Sequence, residues 1–330
     1  MQKITCEMLI DKAVSLLSNG TVKSVLGWRK GEFDYDLTPS LFETEEDLKN
    51  NFCYSDFSGA NFSKYLVKMT KNTEGKVLVF LKPCDTYSFN QLLTEHRFDR
   101  EKVYAVGIPC EGMVDINKIK EITGEGISKI DIDGETLVVT TLYDDEPQKI
   151  NASEVLLERC LNCKSKKHVA YDELLGDEGE IIDSNRFDEV EKLEKMTPEE
   201  RFLFWQNELS KCIRCNACRD VCPACTCEKC VFHNPNSGVE NKAAANSFEE
   251  KMFHIIRAFH VAGRCTDCGE CSRVCPQNIP LHLLNRKFIK DINSFYGEYQ
   301  AGEEVGQRAP IVDYTVDDLE PGEVFDRGDK

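Results

Sequence analysis

The sequence predicts an α+β or α/β fold, in which an amino-terminal α/β domain with a small parallel sheet precedes an α-helical domain rich in cysteine. Two observations support this prediction. Short apolar runs separated by a helical segment lie in the first half, whereas eleven of the seventeen cysteines lie between residues 212 and 275 on a helical background. A chain of 330 residues is long enough to hold two domains with their own cores.

Two short apolar runs in the first half are predicted to pair as parallel strands. They cover residues 76–80 (KVLVF) and 102–107 (KVYAVG), with a helix predicted over about 86–96 between them, which makes a βαβ unit. Both runs end alike, in LKPCD and GIPCE, so Cys84 and Cys110 are predicted just past the carboxyl ends of adjacent strands. Open α/β sheets collect their ligand sites at this edge.

A two-cysteine clip follows a predicted hairpin over ISKIDIDGETLVVTTLY. Together with the cysteines at the strand ends it supplies four thiolates: Cys84, Cys110, Cys160 and Cys163. We interpret them as ligands of a third 4Fe-4S cluster, because two cysteines at matched strand ends are not needed for packing. A zinc site, or two buried thiols beside an unrelated clip, are the alternatives.

The domain boundaries are predicted from composition. Residues 1–170 form the α/β domain, and an acidic linker over 171–196 is poor in aromatic residues, as a solvated connector would be. The helical domain covers 197–296, where Thr197 is followed by Pro and by a Glu three positions on, which is a helix start. The tail over 297–330 is acidic and without periodicity, and is predicted to be disordered or to order on a partner.

The helical domain carries the pattern Cys-x2-Cys-x2-Cys-x3-Cys-Pro twice, in CIRCNACRDVCP and CTDCGECSRVCP. This is the spacing with which bacterial ferredoxins bind 4Fe-4S clusters, and the fourth cysteine of each motif serves the other cluster. Zinc knuckles and disulfide frameworks do not explain a third and fourth cysteine at these offsets. The predicted ligands are Cys212, Cys215, Cys218 and Cys275 for cluster 1, and Cys265, Cys268, Cys271 and Cys222 for cluster 2.

Three further cysteines lie in PACTCEKC. Cys225, Cys227 and Cys230 are too closely spaced for chance packing, and they predict an additional cluster or a zinc site. A fourth ligand from Cys53, His233, a water or a partner chain is left open.

Four other side chains are predicted to have structural roles. Cys6 belongs to the apolar face of the first helix and Cys53 is a loop thiol. His254 and His260 lie six residues apart on the helix between the two motifs, so they do not share a face and are predicted to pack or to meet solvent.

Charge and composition limit the partners. Fifty-eight acidic and forty-one basic side chains give a net charge of −17, which argues against nucleic acid as a partner and favours protein partners. The amino terminus lacks the continuous apolar core of a signal peptide, and no apolar run is long enough for a membrane span. We therefore predict a cytoplasmic protein, in a reducing and anaerobic interior.

The motifs carry a resemblance to a known group. VFLKPCDTYSFNQL, AVGIPCEGMVD, RCLNC and FWQNELSKCIRCNACR resemble the iron-sulfur beta subunits of anaerobic hydrogenases and formate dehydrogenases, including those of deazaflavin-reducing hydrogenases and the A subunits of anaerobic sulfite reductases. The wide spacing of the two cluster motifs resembles the α-helical ferredoxin domains of succinate dehydrogenase and heterodisulfide reductase. The resemblance also implies FAD, although the sequence contains no Gly-x-Gly-x-x-Gly turn.

The predicted function is electron transfer. A subunit of this kind would relay single electrons through several 4Fe-4S clusters to or from a catalytic partner of the hydrogenase, formate dehydrogenase or heterodisulfide reductase kind, with ferredoxin or a flavoprotein as a further partner. No catalytic constellation is found in the sequence. The alternatives are an FAD-containing oxidoreductase that oxidises or reduces a hydride carrier itself, and a protein whose clusters are structural only.

Overall fold

The computed structural model describes residues 3–164, 167–179, 185–233 and 247–312. The α-helices are α1 Cys6–Ser18, α2 Glu45–Asn51, α3 Ser63–Asn72, α4 Pro83–Thr94, α5 Ile116–Thr123, α6 Glu158–Leu161, α7 Asp188–Lys195, α8 Pro198–Ser210, α9 Ala217–Asp220, α10 Ser247–Val261, α11 Glu270–Arg273 and α12 Leu281–Tyr296. The strands are β1 Ser24–Lys30, β2 Leu37–Phe42, β3 Val77–Leu81, β4 Val103–Gly107, β5 Ile127–Asp133, β6 Thr136–Thr141, β7 Gln148–Asn151 and β8 Glu173–Leu174.

The main sheet has five strands in the order β2-β1-β3-β4-β8. Every neighbouring pair is parallel except β1 with β2, which is antiparallel. All five residues of β3 are buried, as a central parallel strand covered on both faces requires. The predicted βαβ unit and fold class are confirmed.

The register of β3 and β4 aligns the two Pro-Cys segments. Leu81 pairs with Gly107, and a cysteine follows three residues after each of these strand ends. Helix α4 begins at Pro83, earlier than the predicted start at 86, because proline fits the first helical position and the Asp85 side chain accepts a hydrogen bond from the Lys82 backbone N–H. Cys84 therefore lies in the first turn of α4 rather than in a loop.

A second, three-stranded antiparallel sheet follows, in the order β5-β6-β7. Strands β5 and β6 form the predicted hairpin, with Gly134 at positive φ in the turn. This sheet packs on α5 through a small apolar cluster that includes Ile119, Leu137 and Val139. It therefore has a core of its own beside the main sheet.

The helical part is built around α10, which packs against both α8 and α12. Helix α8 begins as predicted, because Thr197 and Glu200 form a reciprocal capping box and Pro198 occupies the first turn. Buried Leu209, Phe253 and Leu281 form a core that also includes cysteines of both motifs. In the described part of the chain, no helix is both long and apolar enough to cross a membrane.

Parts of the predicted linker (171–196) and of the predicted tail (297–330) pack against the rest of the protein. Within the predicted linker, β8 extends the main sheet, and Val190 and Leu193 of α7 pack on Leu283 of α12, because they fall on one face of an otherwise charged helix. The first part of the predicted tail also packs, since the Tyr299 hydroxyl donates to the Gly263 carbonyl at 2.8 Å. Residues 180–184 and 313–330 lie outside the described residues.

Candidate iron-sulfur sites

The two cysteine motifs have the same backbone conformation. In the first loop, Arg214 and Asn216 have positive φ angles of 54° and 64°. At the matching positions of the second loop, Asp267 and Gly269 have φ angles of 59° and 66°. Three of these four residues are not glycine, so the left-handed turns are maintained against a steric cost. Each loop then leads into a one-turn helix, α9 or α11.

The four cysteines predicted for cluster 1 line one cavity of about 330 Å³. Cys212, Cys215 and Cys218 come from the first loop, and Cys275 comes from the end of the second motif. Phe253 forms part of the apolar wall. The crossing of ligands between motifs, predicted from spacing alone, is thus supported by position, although the ligand set itself stays a prediction.

A histidine approaches this cavity. His254 is 2 % exposed, and its Nε2 lies 3.2 Å from Sγ of Cys212. Burial, together with the nearby charges of Arg257 and Arg214, lowers the pKa of His254 to about 3, so the ring is neutral. The sequence analysis placed this histidine as packing or solvent-facing; no spacing signal identifies it as a neighbour of a cluster ligand, because the contact joins residues 42 positions apart.

The predicted ligands of cluster 2 are buried together. Cys222, Cys268 and Cys271 are each at most 9 % exposed, and the charge of Cys222 affects the pKa of the other two. Burial raises the pKa of Cys271 to about 12, against the opposing effect of Arg257. Thiols with a raised pKa stay protonated at neutral pH unless a metal binds the sulfur and displaces the proton, as happens for a cluster ligand.

Arg257 is the cation between the two sets. It is 4 % exposed, and its guanidinium donates to the backbone carbonyl of Cys218 at 2.9 Å. The thiolates of Cys222, Cys225 and Cys218 raise its pKa against the effect of burial, which lowers it. A buried cation at this position partly offsets the negative charge that two clusters would bring.

The predicted third set also lies together. Cys84, Cys110, Cys160 and Cys163 line a single cavity of about 540 Å³, at the carboxyl edge of the main sheet. Cys268 of the second loop forms part of the same wall. The cavity therefore lies between the sheet edge and the second motif, although its ligand role stays a prediction.

Buried polar contacts fix the strand ends that carry this set. Lys82 and Asp85 form an ion pair at 2.9 Å, with both side chains at most 1 % exposed. His168 places its Nε2 3.0 Å from the Leu81 carbonyl and 3.1 Å from the Ile108 carbonyl, and thereby joins the ends of β3 and β4. Sequence reasoning missed these residues; the charges flanking Pro-Cys in LKPCD were the available signal for the ion pair.

A buried ion-pair network connects the third cavity to the second loop. Arg159, next to Cys160, lies 2.7 Å from Glu270 and also donates to the Cys268 carbonyl. Although burial alone would raise it, Arg273 and Arg159 hold the pKa of Glu270 at about 2. The carboxylate is therefore charged, and the two cysteine sets are held against each other.

The remaining cysteines fall into two groups. Cys225, Cys227 and Cys230 line a wide cavity on another face, and the side chain of His233 is not described. Within the described residues, no three His, Cys, Asp or Glu side chains converge closely enough to hold a single metal ion. Cys6 and Cys53 contact each other, and the Cys6 thiol lowers the pKa of Cys53 to about 7 through a hydrogen bond.

Comparisons with known proteins support the dicluster region of the chain. The family described as 4Fe-4S dicluster domain matches residues 208–279, which contain both motifs. The chain is 24% identical over 332 residues to the F420-dependent formate dehydrogenase subunit beta of Methanocaldococcus jannaschii, with 83% of this chain and 86% of that protein covered. It is 23% identical to the F420-dependent formate dehydrogenase 1 subunit beta of Methanococcus maripaludis, over 66% of this chain and 71% of that protein.

A solved structure is similar over a smaller part. It is the F420-reducing [NiFe] hydrogenase complex from Methanosarcina barkeri, with a TM-score of 0.38 and 17% identity, covering 47% of this chain and 58% of that chain. A likeness of this extent says nothing about activity.

The fold and the dicluster motifs define an iron-sulfur electron-transfer protein with 4Fe-4S clusters. The chain is similar, along most of its length, to beta subunits of formate dehydrogenases, so the resemblance given by the sequence is confirmed.

Proposed function

We propose that this chain relays single electrons through three 4Fe-4S clusters, from cluster 1 through cluster 2 to the third set or in reverse, as a beta subunit of a formate dehydrogenase or hydrogenase complex. The observation that carries the proposal is the position of Cys268. This predicted ligand of cluster 2 lines the cavity of the third set, so the three sets form a continuous series. The relatives named as formate dehydrogenase beta subunits support the assignment of the complex.

When bound, the clusters would supply one-electron chemistry; the chain holds them, excludes water and balances their charge. Around the third cavity, Lys82, Arg159, Lys164 and Arg286 provide cations. Lys164 donates to the Thr266 carbonyl at 2.6 Å, and burial lowers its pKa to about 8. Lys82, Arg159 and Arg286 are each paired with a carboxylate, so most of this positive charge is already balanced within the chain.

Several finer assignments belong to the proposal. The chain is proposed to divide at 171–196 into its two domains, to act in the cytoplasm, and to bind a catalytic oxidoreductase subunit, with ferredoxin or a flavoprotein as a further partner. Its net charge of −17 suits a basic docking surface on such a partner. FAD, which only the resemblance implies, also belongs to the proposal, as does a zinc ion or further cluster at Cys225, Cys227 and Cys230, which line one cavity.

Anaerobic quantitation of iron, acid-labile sulfide, zinc and flavin tests this proposal. We expect about twelve irons per chain, as three 4Fe-4S clusters require, and all of them reducible in a titration followed by EPR. About eight irons with stoichiometric FAD would instead favour the flavoenzyme, and clusters that resist reduction would favour a structural role.

The variant Cys84→Ser tests whether the third set binds four of these irons. It should remove about four irons while the two motif clusters keep their EPR signals. Cys53→Ser is the matched control, because Cys53 lies in the same half and contacts Cys6 rather than the cavity. Equal iron in both variants would refute the third cluster.

A further inference from the structure

Two cysteines of the α/β domain belong to none of the predicted cluster sets and contact each other. Cys6 is the first residue of α1, and Cys53 follows shortly after α2. Their thiols hydrogen-bond to each other, and, among the residues that the structure describes, neither lines a cavity of another cysteine set. Both residues are partly exposed. Two neighbouring thiols that small molecules can reach are a candidate site of oxidation.

Backbone contacts hold the two cysteines side by side. The Tyr54 backbone N–H donates to Sγ of Cys6 at 3.1 Å, and the Cys6 thiol donates to the Phe52 carbonyl at 3.7 Å. The Cys6 sulfur therefore lies against both chain neighbours of Cys53. The backbone of Cys53 is fixed in turn, because its N–H donates to the Trp28 carbonyl at 2.9 Å. A disulfide requires such an approach, since it joins two sulfurs about 2.05 Å apart.

The surroundings of the pair favour one thiolate beside one thiol. The hydrogen bond from Cys6 lowers the pKa of Cys53 to about 7, and the charge of Lys30 acts in the same direction, while burial and Asp34 oppose it. The same hydrogen bond, together with burial, raises the pKa of Cys6. Near neutral pH, Cys53 is therefore partly ionised and Cys6 is protonated. The thiolate is the form that attacks a disulfide.

We propose that Cys6 and Cys53 form a reversible disulfide by exchange with a low-molecular-weight disulfide. The Cys53 thiolate attacks one sulfur of this oxidant, the S–S bond of the oxidant breaks, and one half leaves as a thiolate while a mixed disulfide forms on Cys53. The proton of Cys6 passes to the thiolate that has left, and the Cys6 sulfur attacks Cys53 and displaces the second half. In total, the two protein sulfurs lose two electrons, and the oxidant is reduced to its two thiol halves.

The position of the pair gives this bond a sensing role. In the cytoplasm proposed for this chain, disulfides are transient and serve catalysis or redox sensing rather than stability. Tyr54, the residue after Cys53, is 5% exposed, and the charges of Cys110 and Cys84 add to the effect of burial that raises its pKa. The segment that carries Cys53 therefore leads to the third set, and a bond at Cys53 would constrain it. The exchange does not depend on the proposed relay, since neither Cys6 nor Cys53 is among its predicted ligands.

Exchange on the anaerobically purified full chain, with 2-hydroxyethyl disulfide as the oxidant, tests the proposal. Trypsin releases Cys6 in the peptide 4–12 and Cys53 in the peptide 50–64, and each peptide contains a single cysteine. After alkylation of the remaining thiols, mass spectrometry should find the two peptides joined in most chains, and dithiothreitol should separate them. The iron content should stay unchanged, which verifies that the cysteines of the clusters did not react.

The variant Cys6→Ser separates a disulfide from two thiols that react independently. Serine keeps a hydroxyl that can donate to Cys53, but it cannot displace the second half of the oxidant. The variant should therefore retain one 2-hydroxyethylthio group per chain on Cys53, whereas the parent chain should retain none. The proposal would be overturned by the absence of joined peptides, by a mixed disulfide that persists on Cys53 of the parent chain, or by an unmodified Cys53 in the variant.

Discussion

The two cysteine loops share a backbone but not an environment. Both have two left-handed residues at the same positions relative to their cysteines. In the first loop, Ile213 is 59% exposed and Cys215 is exposed. In the second, Glu270 is fully buried and ion-paired with Arg159, and Asp267 pairs with Arg286 at 2.8 Å.

The comparison distinguishes two structural contributions. The loop backbone binds the cluster, and the surroundings of the loop determine how the cluster would take part in electron transfer. In both loops a backbone N–H at the first left-handed residue donates to a cysteine sulfur, from Arg214 to Cys212 and from Asp267 to Cys265, and such donors stabilise an anionic cluster. The surroundings then differ: the first loop meets the surface, whereas the second is enclosed between the helical part and the main sheet. In the proposed relay, cluster 1 would therefore exchange electrons with an external partner, and cluster 2 would transfer them through the interior.

The largest expected effect comes from removing the cysteine that each motif is predicted to supply to the cluster of the other motif. Cys275→Ser should abolish cluster 1, with a loss of about four irons and of its EPR signal, because Cys275 lines the cavity of the first loop. Cys222→Ser is the matched variant and should abolish cluster 2 instead. If Cys275→Ser removed the signal of the second loop, the crossing of ligands would be wrong.

The next effect concerns the buried charge of the second loop. Glu270→Gln leaves two guanidinium groups, of Arg159 and Arg273, without their carboxylate, and should destabilise the protein by roughly 3–5 kcal/mol. The measurement is the midpoint of anaerobic chemical denaturation. Glu189→Gln, at the surface pair with Lys192, should cost only about 0–1 kcal/mol. Equal shifts in the two variants would show that the ion-pair network does not hold the loop.

The positions of the cysteines could be predicted from the sequence, whereas the buried contacts around them could not. The eight motif cysteines follow from spacing, because three ligands of each set lie on one tight loop, and Cys84 and Cys110 follow from strand ends that adjacent parallel strands must align. The ion pair of Arg159 with Glu270 joins residues 111 positions apart and leaves no local pattern. Likewise β8 is too short for periodicity to reveal, since it depends on pairing with β4.

A smaller effect tests why the loops use different residues at one left-handed position. Asn216 occupies it in the first loop and Gly269 in the second. A Cβ at Gly269 would lie 2.7 Å from Cδ of Arg159, so Gly269→Asn should cost roughly 1–3 kcal/mol through overpacking. The reverse change, Asn216→Gly, should alter the free energy of unfolding by no more than about 1 kcal/mol, because glycine and asparagine both tolerate this left-handed conformation. Thermal unfolding of both variants measures the asymmetry, and similar costs would contradict it.

The smallest effect is electronic and concerns His254. Its Nδ1 is buried without a hydrogen-bond partner among the described residues, so the proton is assigned to Nε2, which donates to Sγ of Cys212. Such a donor withdraws charge from the sulfur and favours the reduced cluster. His254→Leu should therefore lower the potential of cluster 1 by roughly 20–60 mV, which is a hydrogen bond of about 0.5–1.5 kcal/mol converted for one electron.

Redox titration followed by EPR separates this effect from a general loosening of the fold. The potential of cluster 2 provides the internal reference, and His260→Leu, an exposed histidine on the same helix, is the matched control. Only the signal of cluster 1 should move, and only in His254→Leu. A shift of both clusters, or none, would mean that this histidine packs against the loop without adjusting its charge, and that solvent exposure alone distinguishes the two clusters.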